Sequence, residues 1–240
     1  MEYDSGFSFG IGVFETMSVY NGRCVMLDRH MARLFHGLEV LGIQSTIDRE
    51  SVEEHVSDGN LDGRVLKVEV SEKNVIFSDR INPYDENMYS RGFAMNISTV
   101  RRNETSPLTY IKSLGYGDSI LEKRRSRKDG FDEPLFLNSH GEVCEGATSN
   151  IFFSRNRKLF TPDVGCGLLP GTVRSFILDD FGAEECRISV DDLDSFDGCF
   201  VSNSVIGIMP VRSIGDITFD DRTVAESLRV AYRKAVDEGL

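Results

Sequence analysis

Apolar positions change period several times along the chain, and each change marks an element. Val13 to Tyr20 is an extended run ending at Asn21-Gly22, a dipeptide that strongly favours a tight turn, so the chain is predicted to open with a β-hairpin. Met31, Leu34, Leu38 and Leu41 then recur at helical spacing, with Asp28 expected at the N-cap and Gly42 at the stop. A weaker helix is expected over SVEEHVSDGN, ending at Gly59. Strands are expected over Arg64 to Ser71, Asn74 to Asp79 and Phe93 to Val100, where Phe93, Met95 and Ile97 alternate with smaller or polar neighbours.

RRNETSPL, residues 101–108, breaks this pattern: it is polar, lacks periodicity and carries a proline near its end. It reads as a linker between a small N-terminal domain, residues 1–104, and a larger one, residues 105–240. Beyond it, SLGYGDSILEKRRSRKDG predicts a helix with a basic last turn and a stop at Gly130. Lys123, Arg124, Arg125, Arg127 and Lys128 are expected on a solvated face of that helix. EPLFLNSHGEV and SNIFFSRNRKLF predict two hairpins, Pro170-Gly171 opens a further helix, and Thr223 to Leu240 forms a closing amphipathic helix. The outcome is a two-domain α+β protein.

Composition narrows the function classes. The charge balance of 27 Lys+Arg against 39 Asp+Glu gives a net charge of -12, which repels nucleic acid and anionic lipid. No run approaches the ~18 apolar residues of a spanning helix, and MEYDSG lacks the basic and apolar regions of a secretion signal. A cytoplasmic protein with neither a nucleic-acid nor a membrane partner is expected. The 5 cysteines include no C-x-x-C pair, so neither a disulfide framework nor a zinc site is expected. His30 and His36 lie on different sides of one helix and are not read as metal ligands. There is no G-x-G-x-x-G, no phosphate-loop motif and no G-x-S-x-G.

Four segments place polar groups in apolar surroundings. In Tyr110-Ile-Lys-Ser-Leu-Gly-Tyr116, Lys112 precedes a helix, and a desolvated lysine there would be a nucleophile toward carbonyls; a surface lysine is the simpler reading of spacing alone. Glu145 heads a run of small polar residues, EGATSN, before the hydrophobic Ile151-Phe152-Phe153. LLPGTVR puts a glycine at a helix start, where backbone N–H groups and the helix dipole favour an anion. Ser202, Asn203 and Ser204 end a strand.

Taken together and in order, FGIGVFETMSVYNG, DRHMARL, IKSLGY, EGATSNIFF and TPDVGCGLLPGTVR resemble the pyridoxal-phosphate enzymes of fold type IV, which include branched-chain and D-amino-acid aminotransferases and 4-amino-4-deoxychorismate lyase. The resemblance spans nearly the whole chain. It implies a small N-terminal α/β domain, a larger domain with a β-barrel-like core, pyridoxal 5'-phosphate as cofactor and a homodimer. It further implies that Lys112 forms the Schiff base with the cofactor and moves the proton at the substrate carbon. Glu145 would pair with the pyridine nitrogen, making the ring an electron sink. Arg33 resembles the phosphate ligand of the family, with the backbone of Thr172 and Val173 and the hydroxyl of Ser204 completing the cradle. Tyr116 would hydrogen-bond the ring oxygen. One departure is that Thr172-Val173 stands where aminotransferases usually carry Ile-Thr.

FETM, the Ser-Asn-Ser at 202–204 and RRNETSPLTYIKS resemble the lyase branch, which converts 4-amino-4-deoxychorismate to 4-aminobenzoate and pyruvate. The alternative is an aminotransferase acting on branched-chain or D-amino acids with 2-oxoglutarate as acceptor. A dicarboxylic substrate wants cationic anchors, and Arg80, Arg91 and Arg101 are candidates. A non-catalytic binding protein of the same fold would be expected to lose Lys112 or Glu145, and both are present.

Overall fold

A computed structural model describes residues 1–240, and the chain divides into two compact units. The first comprises Met1–Pro83, Ile111–Tyr116 and Ala235–Leu240. Its elements are α1 (Ser5–Phe9), β1 (Gly12–Tyr20), β2 (Arg23–Cys24), α2 (Leu27–Leu41), α3 (Arg49–Asp58), β3 (Arg64–Ser71) and β4 (Val75–Ile81). The strands form one antiparallel sheet in the order β2-β1-β3-β4. Asn21 and Gly22 both take positive φ, 50° and 71°, as a two-residue hairpin turn requires, so Tyr20 pairs with Arg23. Alternation then sorts the side chains. Val13, Met17, Leu66, Val68 and Val70 pack with Met31, Leu34 and Leu38 of α2 and Val52 and Val56 of α3. The opposite face carries Phe14, Thr16, Ser18, Lys67 and Glu69.

Helix α2 corrects one expectation. Asp28 is not its N-cap: Met26 holds that position in a left-handed conformation without a side-chain cap, and Asp28 lies exposed in the first turn beside Arg49. Met26 and Leu27 are buried, and their packing sets the start of the helix ahead of the capping preference.

The second unit comprises Tyr84–Tyr110 and Gly117–Lys234. It contains α4 (Glu86–Arg91), β5 (Phe93–Arg102), α5 (Gly117–Lys128), β6 (Glu133–Asn138), β7 (Val143–Gly146), β8 (Asn150–Arg155), β9 (Lys158–Pro162), α6 (Thr172–Phe181), β10 (Glu184–Cys186), β11 (Gly198–Asn203), β12 (Gly207–Ile214), β13 (Ile217–Thr218) and α7 (Thr223–Asp237). The strand order β8-β11-β12-β5-β6-β7 returns to β8 through the pairing of Glu145 with Asn150, which closes a six-stranded barrel. Met95, Leu135, Phe153, Val201 and Met209 are among the side chains of its core.

The boundary expected at residues 104/105 does not divide the molecule. Strand β5 belongs to the barrel because it pairs in parallel with β12 and β6. The segment carrying Lys112 belongs to the first unit, not the larger one, because Ser113 bridges to Val13 and the Lys112 carbonyl accepts the Phe14 N–H. Polarity at 101–108 thus marks the end of a strand and its following turn rather than a linker. No helix is long and apolar enough to cross a membrane.

Candidate functional site

The first unit contributes Lys112, Tyr116 and Arg33. Backbone bonds to β1 hold Lys112 in a turn that ends before α5, and its Nζ lies 4.3 Å from the centre of the Phe14 ring and 5.1 Å from that of Tyr116. Tyr116 meets Phe14 edge-on at 5.2 Å. An ammonium over aromatic faces is attracted to them by the ring quadrupole.

Arg33 lies in an ionic cluster that sequence spacing did not reveal. Its Nε and Nη2 donate to the two carboxylate oxygens of Glu15, each at 2.7 Å, and His30 Nδ1 lies 2.6 Å from Glu15 Oε2. Glu15 and His30 are fully buried. Burial alone would raise the Glu15 carboxyl, but the charge and hydrogen bonds of Arg33 and His30 outweigh it and hold the group far below the usual carboxylate range. Burial pushes His30 down, with the positive charges of Arg33 and Lys112 adding to it against the pull of Glu15. Two of the Arg33 donors expected for phosphate are committed to Glu15, because a carboxylate this deeply buried requires compensation.

The second unit draws together the other three segments. Glu145, on β7, accepts the Leu169 N–H at Oε2 over 3.1 Å. Its Oε1 stands 3.1 Å from Arg102 Nε, although that N–H has no hydrogen-bond partner, so the attraction is Coulombic. Asn150 Nδ2 donates to the Leu169 carbonyl at 2.8 Å, tying EGATSN to the segment that leads into α6. Asn203 Nδ2 donates to the Thr148 carbonyl at 3.0 Å, while its Oδ1 accepts the N–H groups of Val205 and Ile206. That arrangement fixes the turn carrying the half-buried Ser204.

Helix α6 begins at Thr172, with Thr172 and Val173 in its first turn. Its N-cap is Gly171, which provides no side-chain cap. A methyl group on Gly171 would overlap Asn150 Oδ1, so only glycine lets the chain pass there. Ser202 Oγ is buried without a partner. Within the second unit, an uncapped helix N-terminus and a buried carboxylate are chemically suited to a phosphate and a protonated ring nitrogen such as those of pyridoxal phosphate.

Arg102 and the Lys123–Glu133 pair were not singled out from sequence. Arg102 lies within the stretch read as linker. Lys123 was assigned to a solvated face, but it is largely buried against Glu133, while Arg124, Arg125, Arg127 and Lys128 are exposed as expected. Of the proposed anchors, Arg91 forks onto Asp132, Arg101 Nη1 donates to the Ser98 carbonyl and Arg80 is exposed on β4.

Known proteins match this chain over most of its length. The amino-transferase class IV family profile covers residues 12–214. Aminodeoxychorismate lyase of Bacillus subtilis is 28% identical, across 98% of this chain and 88% of that protein. A protein of Rickettsia conorii named "Probable branched-chain-amino-acid aminotransferase" is 27% identical, across 94% and 87%. The solved 4-amino-4-deoxychorismate lyase of Pseudomonas aeruginosa superimposes with a TM-score of 0.84 at 24% identity, covering 99% of this chain and 96% of that one. The chain belongs to the amino-transferase class IV family and is a pyridoxal-phosphate-dependent enzyme.

Proposed function

We propose that this enzyme is a lyase that converts 4-amino-4-deoxychorismate to 4-aminobenzoate and pyruvate. The observation that carries the reading is a second ammonium near Lys112: Lys67 Nζ lies 4.9 Å from the centre of the same Phe14 ring. Lys67, Glu69, Thr16 and Ser18 share one sheet face with Phe14, Lys67 Nζ pairs with Glu69 Oε1 at 2.6 Å, and a polar face that carries an ammonium suits a dicarboxylic substrate better than an aliphatic side chain. The Bacillus subtilis relative supports the same choice.

Pyridoxal phosphate, when bound, supplies an aldehyde carbon for the substrate amine and a ring that withdraws electrons from the reacting carbon. Lys112 would be the residue that holds the cofactor's aldehyde carbon and would take the proton from C4 of the substrate ring. Glu145 would pair with the pyridine nitrogen and keep it protonated. The N–H groups of Thr172 and Val173, the Ser204 hydroxyl and Arg33 would hold the phosphate, and Tyr116 would hydrogen-bond the ring oxygen. Pyruvate leaves as the substrate ring becomes aromatic, so no amino-group acceptor is consumed.

A second reading, amino transfer from a branched-chain amino acid to 2-oxoglutarate, is favoured by the Rickettsia conorii relative. Incubating the holoenzyme with aminodeoxychorismate alone separates the two. Formation of 4-aminobenzoate and pyruvate is expected. Absence of both products, with amino transfer to 2-oxoglutarate in their place, would overturn the lyase. Borohydride reduction should fix the cofactor to Lys112 and to no other lysine.

A further inference from the structure

A buried ion pair lies behind the Glu145 hairpin and has no place in the chemistry described so far. Glu133, at the start of β6, is fully buried, and Lys123 reaches it from α5 with Nζ 3.0 Å from Oε2. The same ammonium donates to Thr148 Oγ1 at 2.6 Å. Glu133 Oε1 accepts the Thr148 N–H at 2.6 Å and the Ser149 hydroxyl at 2.9 Å. Burial would raise the Glu133 carboxyl, but Lys123 and these donors hold it below its ordinary value. Lys123 is raised in turn, the attraction of Glu133 outweighing its own desolvation.

Apart from the ion pair itself, each of these bonds ends on the turn between β7 and β8. That turn follows Glu145 directly, and Gly146 gives room for it: a Cβ there would lie 2.5 Å from Ser149 Oγ and 2.7 Å from Glu133 Oε1. The Thr148 carbonyl receives the Asn203 side chain, and Asn203 shapes the turn that holds Ser204. One carboxylate therefore fixes a turn from which two separate cofactor contacts are hung.

We propose that Lys123 and Glu133 are positioning residues, whose ion pair sets the placement of Glu145 toward the pyridine nitrogen and of Ser204 toward the phosphate. This rests on the cofactor roles proposed for Glu145 and Ser204. Stability alone would not require Glu133 to spend an oxygen on the turn, since an apolar pair of similar volume fills such a site at little cost. The acceptor is what an apolar pair cannot replace.

Replacing both charges separates the two roles. Either single change, Lys123→Met or Glu133→Leu, lowers the melting temperature, whereas the double variant K123M/E133L, which strands no charge, is expected to recover part of it, with the Thr148 N–H and the Ser149 hydroxyl still lacking their acceptor. Pyridoxal phosphate should nevertheless bind the double variant about tenfold more weakly, and the pH titration of its absorbance should move. Glu133→Gln should do the reverse, losing stability but keeping the acceptor and a titration close to that of the unaltered enzyme. A folded double variant with unchanged affinity and titration would overturn the proposal. If the double variant does not fold, Thr148→Val and Ser149→Ala each remove one side-chain anchor. Weaker cofactor binding in either supports the proposal, and none in both overturns it. If the unaltered protein takes up no pyridoxal phosphate, the underlying cofactor assignment fails; unaltered protein that binds it beside indifferent variants sinks only the positioning role.

Discussion

Arg102 Nε stands 3.1 Å from Glu145 Oε1, and the Arg102 guanidinium lies over the Phe136 ring at 3.9 Å while Nη2 donates to Ser119 Oγ. A guanidinium held on an aromatic face cannot swing away, so the Glu145 carboxylate has a fixed cation behind it. Arg102→Gln removes that charge and makes Glu145 a stronger proton acceptor in competition with the pyridine nitrogen. Cofactor affinity should fall about tenfold and the absorbance titration should shift, with Arg102→Lys restoring part of both. An identical titration in the glutamine variant would show that the ion pair is idle.

The Glu15 cluster predicts a pH effect of definite sign. Its carboxyl is held far below the ordinary range when folded, so its contribution is complete above the unfolded value of about 4.3 and is lost as pH falls toward the lowered one. Glu15→Gln should cost about 3 kcal/mol near neutrality by stranding Arg33, and less as the medium is acidified. Thermal melts of both proteins from neutral to acid pH would check this. Parallel curves would contradict it.

Gly171 leaves no room for a side chain beside Asn150 Oδ1. Gly171→Ala should therefore cost about 1–3 kcal/mol and weaken the cradle at the start of α6. Denaturant unfolding and cofactor titration measure the two effects separately, and a variant unchanged in both would disprove the crowding.

All 5 thiols are free, and 4 of them are buried, with Cys186 half-buried. Burial pushes Cys166 up to about 11 and Cys24 to about 12, and it raises Cys144, Cys186 and Cys199 as well. Thiolates are scarce at pH values near 8, so iodoacetamide should modify the native protein slowly and all 5 cysteines after denaturation. Rapid native labelling, read by mass spectrometry, would refute the burial.

Much of the architecture was legible because it rests on local physics. The Asn21-Gly22 turn, the α2 face of Met31, Leu34 and Leu38, and the strand over Arg64–Ser71 follow from backbone preference and from the period at which apolar residues recur. The β8–β9 hairpin followed from two clear strand runs on either side of the polar Arg155 to Arg157, and in the structure Asn156 and Arg157 both take positive φ. Lys112, Glu145 and the glycine before α6 stood out as candidates through ordered motifs that resemble the fold type IV enzymes, whereas spacing alone favoured a surface lysine and an ordinary turn carboxylate.

Tertiary structure decided which polar residues are buried and with whom. Nothing local distinguishes Lys123 from Arg124, yet one is largely buried against Glu133 and the other faces water. Arg102 read as part of a linker until β5 paired with β6 and brought it to Glu145. Segment membership was decided the same way: residues 111–116 follow the barrel strand β5 in sequence but are held by backbone bonds to β1. Periodicity reports how a residue relates to its neighbours in the chain, whereas the energy of a buried charge depends on partners tens of residues away, and only the folded molecule supplies those.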